Sequence, residues 1–215
     1  MVAPTVHTLS RPPARTADED SSKRRQILDG ARRVFLDLGF DGASMGEIAR
    51  IAGVSKGTLY VYFADKHHLF EAIVEQENLD YGRASFNFSP EREPETTLFE
   101  FGCAYMELLC RPQGGSAVRT VMAIAERMPD VGRRYYDQVI AKTISELGGY
   151  LTARVTIGDL VIDHPELAAN QFMLTCQAGL FLPFILQVTP PPSRAQIEKS
   201  VRSATRMFLA AYGKR

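Results

Sequence analysis

Excess charge of either sign is missing: 25 Lys and Arg stand against 25 Asp and Glu in 215 residues. A protein that coats DNA regardless of sequence needs a strongly basic surface, so the balance excludes that class. It leaves open a sequence-specific reader, which needs positive charge only where it meets phosphate. Cysteine is scarce. Cys103, Cys110 and Cys176 lie among apolar residues with no C-x-x-C spacing, as buried free thiols of a reducing compartment do. Long apolar runs are lacking too. The longest, Ala178 to Leu186, is interrupted by Gly179 and Pro183 and falls short of the roughly 18 residues that span a bilayer. The N-terminus has no signal-peptide core. The expectation is a cytoplasmic chain with no membrane partner. No stretch alternates with period two over a useful length, which excludes a sheet and predicts an all-α fold. No G-x-S-x-G, phosphate loop or metal-spaced set of His, Cys and Glu occurs. The chain is therefore read as no enzyme, with no catalytic residue, no cofactor and no metal site. His67 and His68 are adjacent and cannot converge on one ion from a helix, and His164 beside Asp163 and Glu166 fits a helix start.

What is present is organised around Ser44 to Phe63. Ser44 is a good N-cap, and Glu47 three residues on completes a capping-box pattern. Ile48, Ala49 and Ala52 fall on one helical face. Gly53 sits where that helix must stop, in a left-handed cap that glycine takes without strain. Ser55 caps a second short helix. Val54, Leu59 and Phe63 remain for packing, and Lys56, Gly57, Thr58, Tyr60 and Tyr62 form its more polar positions. Two helices around a glycine corner, the second with basic, hydroxyl and aromatic groups outward, predict a helix-turn-helix that reads DNA.

The run Ile48-Ala49, Ala52-Gly53-Val54-Ser55-Lys56-Gly57-Thr58-Leu59-Tyr60, Tyr62-Phe63, Lys66 and Leu69-Phe70 resembles the DNA-binding domain of the tetracycline-repressor (TetR) family. The likeness is dense over roughly residues 23–75, and its Leu-Tyr-x-Tyr-Phe-x-x-Lys tail is its most specific part. It implies DNA contacts from Ser44, Ser55, Lys56, Gly57, Thr58, Tyr60, Tyr62 and Lys66, with Lys66 and the start of its helix clamping a phosphate. It also implies that Phe40 packs into the core of the three-helix unit.

The rest of the chain supplies supports. Residues 1–22, with Pro4, Pro12 and Pro13, read as a disordered tail. A first helix runs from Lys23 to Leu38 with Ile27, Leu28, Ala31, Val34, Phe35 and Leu38 on its inner face; Ser22 would cap it and Gly39 end it. Lys23, Arg24 and Arg25 crowd its first turn, near an expected phosphate. Asp65 caps a helix from Lys66 to about Tyr81. Tyr81 to Pro94 is a seam, so the division expected is 23–80 for DNA binding and 81–215 for ligand binding and dimerisation. Helices follow at about 95–109, 116–128 and 131–156, the last weakened by Gly148-Gly149. Two more occupy 165–187, with Asp163 as cap, and 193–212, giving about nine in all. The last two are too apolar for a monomer and suit a four-helix bundle between two copies. In the resemblance they are the homodimer interface, matching a palindromic operator in double-stranded DNA. The resemblance also places an inducer pocket among the middle helices. Its expected lining is Phe101, Tyr105, Met106, Met122, Tyr136, Ile140, Phe172, Cys176 and Phe181, a Met and aromatic set that suits a small apolar molecule. The function expected is a ligand-responsive homodimeric regulator, in first place a repressor. The alternative is a small-molecule sensor or interaction protein whose DNA-binding half has lapsed. Ligand identity and operator sequence are not readable at this level.

Overall fold

The computed structural model describes residues 17–83, 86–111, 114–126 and 128–214. Four helices form the N-terminal unit: α1 (Ala17–Gly42), α2 (Met45–Ile51), α3 (Lys56–Tyr62) and α4 (Lys66–Arg83). The α1 helix begins at Ala17, so residues 17–22 of the expected tail are helical, Ser22 is interior and no cap. Residues 1–16 lie outside the described residues. Gly39 breaks α1 as expected, with φ of 70°. Five of the six residues expected on the inner face of α1, Ile27, Leu28, Ala31, Val34 and Phe35, are buried together with Ile48, Ala49, Leu59, Phe63, Leu69 and Phe70; the sixth, Leu38, directly before the break at Gly39, is 52% exposed. Phe40 stacks on Phe35 at 5.5 Å and meets Phe70 edge-on at 6.0 Å.

The remaining elements are α5 (Pro94–Leu109), α6 (Gly114–Ile124), α7 (Pro129–Tyr135), a π-helical segment (Tyr136–Ala141), α8 (Lys142–Ile157), α9 (Pro165–Gln177), α10 (Phe181–Ile185) and α11 (Arg194–Tyr212). Among the described residues there is no strand, only an isolated bridge between Leu160 and Gly213. The helix count exceeds the nine expected for two reasons. The rod predicted over 131–156 contains the π segment, which divides α7 from α8. The helix predicted over 165–187 breaks after Gln177, where Gly179 takes a φ of 74°, and resumes as the short α10. The start of α9 also differs: His164, not Asp163, occupies the cap position, without a side-chain bond, and Pro165 supplies the first turn.

Helices α5, α8, α9 and α11 bury Leu98, Leu147, Leu151, Ala168, Ala169, Phe172, Cys176, Val201 and Phe208. The helix α8 runs unbroken through Gly148 and Gly149. A Cβ at Gly148 would meet Glu166 of α9 at 3.0 Å, so that glycine is what lets the two helices touch. Gly102 serves α5 and α11 likewise, since its Cβ would come within 2.6 Å of Val201. The connection before α5 is tied down from α8. Buried Arg154 donates to the Pro90 carbonyl at 2.7 Å and to Asp159, and the Tyr150 hydroxyl donates to the Arg92 carbonyl at 2.7 Å. Phe86 of the same segment packs edge-on against Phe101 at 4.8 Å. The N-terminal unit meets this body where α1 packs on α6 and where Arg134 of α7 donates to Glu71 of α4 at 2.5 Å.

Candidate DNA interface and inner cavity

Local bonds fix the corner between α2 and α3. The Ser44 hydroxyl accepts from the Glu47 backbone N–H at 3.1 Å. The second half of the expected capping box is missing: the Glu47 carboxylate turns to Arg50, at 2.6 Å and 3.1 Å, and this partner holds the Glu47 carboxyl below its usual range. Gly53 has a φ of 65°, which a side chain rarely tolerates. The Gln26 amide donates to the Ala52 carbonyl at 2.7 Å, binding the corner back to α1. Ser55 accepts from the Thr58 N–H at 2.9 Å and pairs with the Thr58 hydroxyl at 2.8 Å. Ser44, Ser55 and Thr58 are thus committed to helix geometry.

With Leu59 and Phe63 buried inward, α3 turns Lys56, Gly57, Tyr60 and Val61 outward; Tyr60 is 54% exposed and Val61 76%. The expected contacts Tyr62 and Lys66 are placed otherwise. Tyr62 is half-buried, and its hydroxyl donates to Asp20 of α1 at 2.5 Å. Lys66 reaches back under the α1–α2 connection, where its ammonium donates to the carbonyls of Phe40, Asp41 and Ala43 at 2.8, 3.3 and 3.3 Å. It also lies 4.7 Å from the centre of the Phe40 ring. An ammonium has three protons, and in this structure three backbone carbonyls take them, where the expectation was a phosphate. Asp65 caps α4 as predicted, accepting from His67 N–H and His68 N–H at 2.9 and 3.0 Å. The Asp65 carboxylate also pairs with the His68 ring at 2.9 Å, which raises the His68 pKa, while the His68 backbone N–H first and the ring second lower that of Asp65.

The basic trio differs in placement. Because α1 starts at Ala17, Lys23, Arg24 and Arg25 lie more than a turn inside it and away from its free N–H groups. Lys23 bonds to Gln26, Arg24 lies over the Phe63 ring at 5.5 Å, and Arg25 is exposed.

A cavity of about 200 Å³ opens between α5, α6, the π segment, α8, α9 and α10. Tyr105, Met122, Ile140 and Phe181 of the expected set line it. The other five do not. Met106 and Cys176 are fully buried, with burial pushing the Cys176 thiol up to about 12. Phe101 and Phe172 lie in the aromatic core 6.3 Å apart. Tyr136 is 51% exposed, and its neighbour Tyr135 is buried and lines the cavity instead. The sequence reading also missed Thr143, Asn170, Met173 and Gln177. The signal was there in α9: Asn170 and Gln177 are amides seven residues apart, two turns along one helical face, beside the apolar Met173 and Leu174. Gln177 donates to the Tyr105 hydroxyl at 2.6 Å, and burial raises the Tyr105 pKa. Among the described residues, no charged side chain lines the cavity.

The helix pair, the long connecting α4 and the cavity-bearing bundle match known proteins at both ends of the chain. Residues 27–73 match the model of bacterial regulatory proteins of the tetR family. Residues 96–214, more than half the chain, match the C-terminal domain of AefR-like transcriptional repressors. The chain belongs to the TetR family. Among the relatives of this TetR-family regulator is the HTH-type transcriptional repressor Rv1474c of Mycobacterium tuberculosis, 38% identical over 65 residues, which are 30% of this chain and 35% of that protein. Another is the HTH-type transcriptional regulator AcrR of Shigella flexneri, 38% identical over 74 residues, 34% of either chain. The alignments thus span about a third of these relatives. Solved structures agree over nearly the whole length. A TetR-family regulator from Mesorhizobium loti MAFF303099 superposes with a TM-score of 0.73 at 28% identity, covering 90% of this chain and 98% of the other. The flavonoid-responsive regulator FrrA gives 0.69 at 28% identity, with 91% and 99% covered. The protein is accordingly a DNA-binding transcription regulator of all-α fold.

Proposed function

We propose that this TetR-family regulator is a homodimeric, cytoplasmic repressor released from a palindromic operator by a small uncharged molecule. Residues 23–80 bind DNA, and residues 81–215 bind the ligand and the second copy. The observation that carries the reading is the outward face of α3, where Lys56, Gly57 and Tyr60 stand free of the core while caps and Gly53 hold the helix rigid. Lys56 contacts phosphate, Tyr60 a base edge or phosphate, and Gly57 lets the backbone approach the groove. Arg25 adds phosphate contact from α1.

The ligand site is the cavity around Tyr105, Gln177, Asn170 and Met122. The described lining carries no charge and favours a neutral molecule, because a buried ion without a partner carries a heavy desolvation penalty. FrrA responds to flavonoids by name, and its likeness in fold supports a flat aromatic ligand. A molecule in the cavity presses on Val139 and Ile140 of the π segment. That segment continues from Arg134, whose ion pair with Glu71 reaches α4. A ligand that favours one setting of this linkage shifts the population of DNA-competent dimers by its differential affinity.

The test is footprinting on the DNA upstream of the protein's own gene. The expected result is protection of an inverted repeat, removed by a neutral flavonoid such as naringenin or by a related flat aromatic. Absence of protection on any upstream fragment at low salt overturns the DNA reading. Protection that no neutral aromatic relieves overturns the proposed ligand class.

A further inference from the structure

The reading helix carries one side chain that neither its packing nor its charge explains. Val61 is 76% exposed, although Leu59 and Phe63 on either side of it are buried. A β-branched residue is a mediocre helix former and gains nothing from water, so folding gives no reason for a valine at this place. It lies one turn beyond Gly57 on the same face of α3. At Gly57 an added Cβ would meet nothing closer than the Ser55 hydroxyl at 3.8 Å, so the face beside Val61 is an open lane. Tyr60 stands next to the lane and Lys56 at its head, both exposed.

The geometry points to Val61 as a specificity-determining residue that reads the C5-methyl group of a thymine in each operator half-site. The inference rests on the reading of α3 as the helix that meets DNA. Val61 has no donor or acceptor, so it cannot read the nitrogen and oxygen edges of bases, and phosphate offers it nothing. The one apolar group that base pairs display in the major groove is the thymine methyl. Covering it removes both methyl surfaces from water, a gain of about fourfold in affinity per buried methyl. Two half-sites in a dimer multiply to roughly fifteenfold.

The experiment begins with in vitro selection of the half-site by the full chain. Each thymine of the selected operator is then replaced by deoxyuridine, which lacks only that methyl. The expected result is one position per half-site where deoxyuridine weakens binding by about fourfold, and V61A binding the thymine and deoxyuridine operators equally. Valine to alanine at an exposed helical position favours the helix, so the variant stays folded. Tight, sequence-specific binding with no deoxyuridine-sensitive position overturns the assignment, as does V61A that keeps the wild-type sensitivity. Failure to select any sequence overturns the DNA reading beneath it, an outcome distinct from both.

Discussion

Lys66 braces the connection between α1 and α2 with all three of its ammonium protons, on the carbonyls of Phe40, Asp41 and Ala43. Those carbonyls follow the break at Gly39 and have few partners in the helix they leave. Charge-assisted hydrogen bonds contribute about 1.5–3 kcal/mol each at most sites. Lys66→Met is therefore expected to lower stability by about 1–3 kcal/mol in urea unfolding, while the slope of DNA affinity against salt stays that of wild type. A slope reduced by about one phosphate's worth with intact stability would return Lys66 to the DNA. This residue also shows where reading a sequence stops. A lysine at a helix start beside the DNA-binding motif looks like a phosphate ligand. The partners it has in the structure lie 23 to 26 residues earlier in the chain, a distance no local pattern encodes. Gly53 and Ser55 were legible for the opposite reason. Their work is done within three residues, by a backbone angle and a cap.

Among the elements, helix crossings are set by glycines that sequence alone cannot rank. Gly30 of α1 is buried where α2 ends: an added Cβ would meet the Ala52 Cβ at 2.6 Å and its Cα at 2.7 Å. Backbone cannot swing aside, so Gly30→Ala must push α2 off α1, at a cost of about 1–3 kcal/mol. Gly149 of α8 has nothing within 4 Å of its would-be Cβ and is exposed. Gly149→Ala is expected to stabilise by up to about 1 kcal/mol, as alanine does in a helix interior. Chemical denaturation of the two variants checks both signs; equal shifts would refute the crossing argument. The pattern of apolar residues revealed where helices lie. It did not reveal that Gly148 is a contact and Gly149 a vacancy, because that depends on where α9 crosses. The cavity was half legible for the same reason. Met122 and Phe181 stood out by type, whereas the choice of Tyr135 over Tyr136 follows from how the rod turns at the π segment.

At the scale of the whole molecule, apolar surface is left over on the last helices. Leu174 of α9 and Met207 of α11 are 57% and 61% exposed and border a shallow groove floored by Phe172 and Phe208. Leu167, Leu182 and Leu186 extend the same apolar character at 53%, 63% and 64% exposure. Exposed apolar surface around such a groove marks a protein interface, here a second copy under the proposed homodimer. The double variant Leu174→Glu with Met207→Glu places charges in that interface. It is expected to run as a monomer in light scattering and to lose operator affinity by 100-fold or more, since one half-site contributes only part of the binding. A variant that remains dimeric would move the interface elsewhere. The apolar excess of the last helices was plain in the sequence. The break at Gly179, which splits it between α9 and α10, was not.

The π segment has a consequence in rotation. A helix turns by about 100° for each residue it gains or loses. Tyr136 to Ala141 hold a wider winding than the α-helices on either side, with Val139 and Ile140 facing the cavity. Arg134 sits on the same rod just before it, locked to Glu71. If the winding tightens to an α turn while α8 stays fixed, α7 spins about its own axis and carries the Arg134 guanidinium around its rim. The Glu71 pair must then break or drag α4 with it. The segment is in this sense a key in a barrel: under the proposed ligand response, the message from cavity to reading helix is an angle more than a distance.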